Sequence, residues 1–160
     1  MPPIGYISTI LLFVILLSIL LVVGESFLLE ASPLELSGNR EKGEWMERFR
    51  IWAFICAGSA GVASLLWYVL AQWSFKINRW EDTTGKRSIW MLLLLLPTVF
   101  IVVSMFRMEH AESSLTWVYL LLFFSLNGLL PYYWATVLFS PSPFKYTPIG
   151  AKGFRSRCFW

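Results

Sequence analysis

The chain reads as an all-α integral membrane protein of four transmembrane helices in an antiparallel up-down arrangement. Two observations carry this. Apolar stretches at about 4–23, 51–73, 89–106 and 116–139 are each long enough to cross a bilayer, and almost every charged residue lies between or beyond them. A hydrocarbon core needs about 20 residues at the helical rise. With no water in the core, each span must satisfy its own backbone hydrogen bonds. In segments this long and free of strict alternation, that means helix. The 160 residues form one transmembrane domain, and the soluble segments are too short to build a second.

The first span begins close to the N-terminus. A cleaved signal peptide is not expected, because positions 1–6 hold no Lys or Arg. Glu25 closes this span near an aqueous face, where a carboxylate reaches water and serves as an anchor. The loop to the second span is the longest, and its second half alternates in sign at helical spacing. Glu44 stands four residues before Arg48, so the second helix is expected to project beyond the membrane.

The second span carries Ala53, Ala57 and Gly61 at four-residue spacing, with Gly58 and Ser64 close by. Small residues let helix backbones approach, and close packing drives association in lipid, so this stripe is the strongest predicted helix contact. The next loop contains Thr83, Thr84 and Gly85, which predict a turn, followed by the basic pair Lys86 and Arg87. The third span contains Pro97 and the fourth Pro131. Each removes a backbone donor and bends its helix. Asn127 and Gly128 lie one turn before Pro131, giving the fourth helix a polar centre that is expected to bond a neighbouring helix. Trp52, Trp73, Trp90 and Trp117 near the span ends predict interfacial anchors.

The tail, 140–160, mixes Pro141, Pro143 and Pro148 with aromatic and basic side chains. Proline at that density predicts an extended surface strap. Lys145, Lys152, Phe154, Arg155, Arg157 and Trp160 are its expected contacts, with anionic lipid headgroups or a partner protein.

Four spans place both termini on one side. That side holds eight of the thirteen Lys and Arg against two acidic residues, Glu81 and Asp82, a net +6. The other holds five basic and eight acidic residues, a net −3. The excess of positive charge makes the side of the termini cytoplasmic or its organellar equivalent. The basic balance is therefore a topology signal. No basic helix with interleaved aromatics points to nucleic acid.

No chemistry of an enzyme is legible. His110, with Glu109 and Glu112, does not amount to a metal site, and no phosphate loop or nucleophile elbow is present. Cys56 and Cys158 fall at different membrane depths, which argues against a disulfide. No cofactor is expected beyond bound lipid. The sequence points to a non-catalytic subunit that supports or helps assemble a larger membrane complex, in a cell membrane or that of an energy-transducing organelle. Its expected partners are other membrane subunits or copies of itself. The alternative is a homo-oligomeric channel or pore whose polar lining would be Ser64, Thr98, Ser104, Ser125 and Asn127. A transporter for a small solute is disfavoured, because an ion- or proton-coupled one is expected to place an acidic group at mid-depth and none is expected there.

Overall fold

The computed structural model describes residues 3–31, 39–76, 83–108, 114–140 and 147–151. Four helices make up nearly all of these: α1 (Pro3–Ala31), α2 (Asn39–Lys76), α3 (Thr83–Arg107) and α4 (Ser114–Phe139). Each contains a stretch long and apolar enough to cross a membrane, namely Gly5–Ala31, Gly43–Gln72, Lys86–Arg107 and Leu115–Phe139.

The helices outrun the apolar runs that predict them. α1 continues through Glu25 to Ala31, and α2 begins at Asn39, well before Ile51. Thr83, Thr84 and Gly85 do not form the expected turn; they open α3. The first turn of a helix tolerates such weak helix formers, because its N–H groups have no carbonyl behind them in any case.

α2 and α4 form the centre of the bundle. In α2, 56% of the span is buried and in α4 44%, against 22% for α1 and for α3. α1 and α3 occupy separate flanks, each packed on both central helices. The sequence explains the division. α2 presents Ala53, Ala57, Ala60, Ala63 and Ala71 to the interior, all 2% exposed or less, and their small side chains admit the aromatic residues of α4. On α4 every fourth residue from Thr116 is buried: Leu120, Phe124, Gly128, Tyr132, Thr136 and then Ser140. Phe49 of α2 stacks on Phe124, with ring centroids 5.5 Å apart, and meets the edge of Phe123. Lipid is as apolar as these side chains, so what holds them together is dense van der Waals contact and not escape from water.

Two glycines set the flanking contacts. A Cβ on Gly61 would stand 3.3 Å from Val14 Cγ1, so α1 approaches α2 closely there. A Cβ on Gly128 would stand 2.9 Å from Ile101 Cδ1 and 3.5 Å from the Pro97 Cβ, which makes it the tight point between α3 and α4. Both prolines are buried, and α3 and α4 run through Pro97 and Pro131 without interruption.

Candidate functional site

The polar groups inside the bundle gather at two levels. At the first, α1 brings Glu25 against Asn127 of α4. Glu25 is 4% exposed and Asn127 is fully buried. Asn127 Nδ2 donates to Glu25 Oε2 and also to the Phe123 carbonyl, 2.9 Å away. Glu25 Oε1 and Asn127 Oδ1 are both buried and accept no hydrogen bond from the described residues.

The water-facing anchor expected at Glu25 is therefore corrected. Because α1 extends to Ala31 and packs in the groove between α2 and α4, its residue 25 falls inside the bundle. The bundle thus buries an acidic group within a helix long and apolar enough to cross a membrane. Nearby, the Cys56 thiol of α2 lies 3.1 Å from Ser104 Oγ of α3, and Ser104 Oγ donates to the Phe100 carbonyl. Arg50 of α2 clasps the adjoining turns of α1, with its Nε on Ser26 Oγ and its Nη2 on Glu30 Oε1, both at 3.1 Å. The Arg50 and Glu30 side chains are about half exposed, so this ion pair contributes at most about 1 kcal/mol.

The second level joins α2, α3 and α4. Trp90 Nε1 donates to Thr136 Oγ1 at 3.0 Å, Tyr132 Oη donates to the Trp90 carbonyl at 2.7 Å, and Trp67 Nε1 donates to Ser140 Oγ at 2.8 Å. Ser140 Oγ in turn bonds the Thr136 carbonyl. The Trp90 ring stacks on Tyr132 at 5.5 Å. The interfacial role expected of Trp90 is thus corrected. It is 3% exposed, as is typical of the interior tryptophans here: Trp67 is 2% and Trp45 5% exposed. Indole is a large packing surface with one donor, and Thr136 and Ser140 supply the acceptors for Trp90 and Trp67, whereas the buried Trp45 Nε1 has no hydrogen-bond partner among the described residues. Trp117 is exposed and Trp52 half-buried. A signal for this level was present in the chain, since Gly128, Tyr132, Thr136 and Ser140 recur every four residues.

The expected packing stripe of α2 divides in two. Ala53, Ala57, Gly61 and Ser64 are buried, Ser64 Oγ donating to the Ala60 carbonyl at 2.8 Å. Gly58 is exposed, with no atom within 4 Å of a Cβ placed on it, so it takes no part in packing within the chain. Ala53, Ala57, Gly61 and Ser64 fall within an arc of about 80°, whereas Gly58 stands about 100° round the helix from Ala57, at the margin of that face.

Of the tail, 147–151 is described, and it forms a turn and not an extended strap. Ala151 N donates to the Pro148 carbonyl, Gly150 takes φ +80°, and Tyr133 Oη of α4 donates to the Ile149 carbonyl at 2.8 Å. Lys145, Lys152, Phe154, Arg155, Arg157 and Trp160 lie outside the described residues, as do His110, Cys158 and the side chain of Trp73. Among the described residues no group of three or more His, Cys, Asp or Glu is placed to hold a metal ion.

Comparison with known protein families, with curated proteins and with solved structures finds no match to this chain.

Proposed function

We propose that the chain is a non-catalytic integral membrane subunit that braces or helps assemble a larger membrane protein complex. Its helices run up and down, with both termini on the cytoplasmic-equivalent side. Support for the up-down course comes from the pairing of α1 with α2. Tyr6 stacks on Tyr68, Val14 meets Gly61, and Ser26 bonds Arg50, so the α2 number falls as the α1 number rises. The orientation rests on the excess of Lys and Arg on the side of the termini.

The observation that carries the subunit reading is the open face of α2 around Gly58. Ile51, Phe54, Val62, Leu66 and Val69 are exposed on the same helix, and Gly58 leaves a notch of bare backbone between Phe54 and Val62. In lipid such a notch costs nothing if filled by an acyl chain, but it is the form that admits the side chain of a second helix at close range. We assign it to a helix of another membrane subunit. The groove between α3 and α4 lined by Leu94, Leu122, Leu126, Leu129 and Tyr133 suits a lipid chain.

Gly58→Leu tests this. The added side chain meets nothing within its own chain, so the expected result is an unchanged melting temperature with loss of the partner subunits that co-purify with the wild-type chain from its native membrane. Stoichiometric partners retained by the variant would sink the assignment. If native mass spectrometry of the wild type instead gave a ring of identical copies, the pore reading would replace it. Against a pore stands the geometry of its lining. Ser64, Ser104 and Asn127 are buried and hydrogen-bonded within a single chain, leaving Thr98 and Ser125 to face outward or partly so.

A further inference from the structure

Among the described residues, Glu25 is the one carboxylic acid that the bundle buries, and the side chain it meets is a buried amide. Both hydrogens of the Asn127 amide are committed, one to Glu25 Oε2 and one to the Phe123 carbonyl. The atoms left over, Glu25 Oε1 and Asn127 Oδ1, are both acceptors when the acid is ionised. Two acceptors cannot satisfy each other, and each buried group left without a partner carries its full desolvation cost. The residues a turn away, Val22 and Leu29 on α1 and Phe123 and Phe124 on α4, belong to the apolar core.

Three occupants are conceivable on chemical grounds. A water molecule would bring two donors but leave a negative charge inside the membrane, which is the larger cost. A metal cation would neutralise the charge but asks for several oxygen ligands, and this pair offers two free ones. A proton does both things at once. Placed on Oε1, it removes the charge and converts one of the two open acceptors into a donor, while the Asn127 amide keeps its hydrogen bond to Oε2.

We propose that Glu25 and Asn127 form an intramembrane proton-binding site, in which Oε1 of Glu25 takes up a proton from the aqueous phase and returns it there. The step forms and breaks one O–H bond and involves no redox change. The groups that face the site can be named. From α2 comes the Cys56 thiol, itself on Ser104 of α3, and Arg50 lies toward the end of α1, held by Ser26 and Glu30. On α4, Tyr119 stacks on Phe123, and Tyr132 is committed to the Trp90 carbonyl. None of these is bonded to the two open oxygens. The inference stands independently of the subunit reading, because a proton site can serve a bracing subunit or a conducting one.

The test is infrared difference spectroscopy of the full chain in lipid bilayers as pH is cycled. The expected result is a protonated-carboxyl C=O band that appears and disappears reversibly with pH and moves to lower frequency in heavy water. It should move on uniform 13C-glutamate labelling, be absent in Glu25→Gln, and shift in frequency in Asn127→Leu. In Glu25→Asp, which keeps a carboxyl at the position, a band should return that no longer responds to the glutamate label, so the proposal remains testable where Glu25→Gln prevents folding. Carboxylate bands alone at every pH, or the same band surviving Glu25→Gln, would overturn it.

Discussion

Gly128→Ala measures how tightly α3 and α4 are seated. The added Cβ would stand 2.9 Å from Ile101 Cδ1, 3.1 Å from Ile101 Cγ1 and 3.5 Å from the Pro97 Cβ. Relaxed carbon contacts lie at about 3.5 to 4.0 Å, so the Ile101 side chain or the whole of α3 must retreat by about 0.5 to 1 Å. Overpacking of this kind costs about 1 to 3 kcal/mol. Replacing glycine in a helix interior returns about 0.5 to 1 kcal/mol, so the net expectation is a loss of about 0 to 2.5 kcal/mol. Ile101→Val, which removes Cδ1, should alone cost about 0.5 to 1.5 kcal/mol. In the double variant the deleted methyl makes room for the new one, and the two losses should fall short of additivity by about 1 kcal/mol. Reversible unfolding in mixed micelles, titrated with a denaturing detergent and followed by circular dichroism, reads all three values. Additivity within about 0.5 kcal/mol, or a stabilised Gly128→Ala, would refute the contact.

Two further substitutions probe the second polar level and the tail. Tyr132→Phe deletes the hydrogen bond to the Trp90 carbonyl while keeping the stacked ring, and the same unfolding assay should show a loss of about 0.6 to 1 kcal/mol, the usual worth of such bonds between membrane helices; no change would mean that the bond is not formed in lipid. Gly150→Ala forces a Cβ into the left-handed backbone region and to 3.0 Å from Tyr133 Oη, so the 147–151 turn should come off α4 and its amides exchange faster, with Gly150→Asn milder because asparagine tolerates that backbone; a turn as protected as in the wild type would contradict the docking.

The spans were legible in the sequence because length and apolarity are all that a membrane crossing demands, and each of the four apolar runs falls within one of the four helices. Which face of each helix turns inward was far less legible. In a water-soluble bundle the polar face advertises the exterior, whereas here the outside is as apolar as the core. Leu12, Leu16, Leu20 and Phe27 face outward on the same helix that buries Ile10, Val14, Val22 and Leu29. Small residues signal close approach but not its direction, so Gly58 and Gly61 read alike although one is open and the other meets α1. The tryptophans misled for a related reason. An indole near the end of an apolar run suits the headgroup region and suits an interior hydrogen bond equally, and only the position of Thr136 and Ser140 on the facing helix decides for Trp90 and Trp67.

Glu25 was misplaced because the apolar run ended before the helix did, and the consequence reaches beyond one residue. α2, α3 and α4 share an interior of stacked rings and indole donors, a core that no change in protonation touches. α1 is attached differently. Its first half meets the bundle through rings, Tyr6 on Tyr68 and Phe13 on Phe139. Its second half buries Val22 and Leu29 in the core and adds polar ties, Glu25 to Asn127 and Ser26 and Glu30 to Arg50. Arg50 and Glu30 are about half exposed, and an exposed pair of that kind holds weakly. Of the polar ties named, the acid–amide pair is the buried one whose strength changes with protonation. With the proton in place, that pair is a neutral clasp. Without it, the pair holds a charge and two acceptors that receive no hydrogen bond from the described residues. If α1 is to move at all, physical chemistry puts the release at this clasp, and the other three helices are packed to stay where they are.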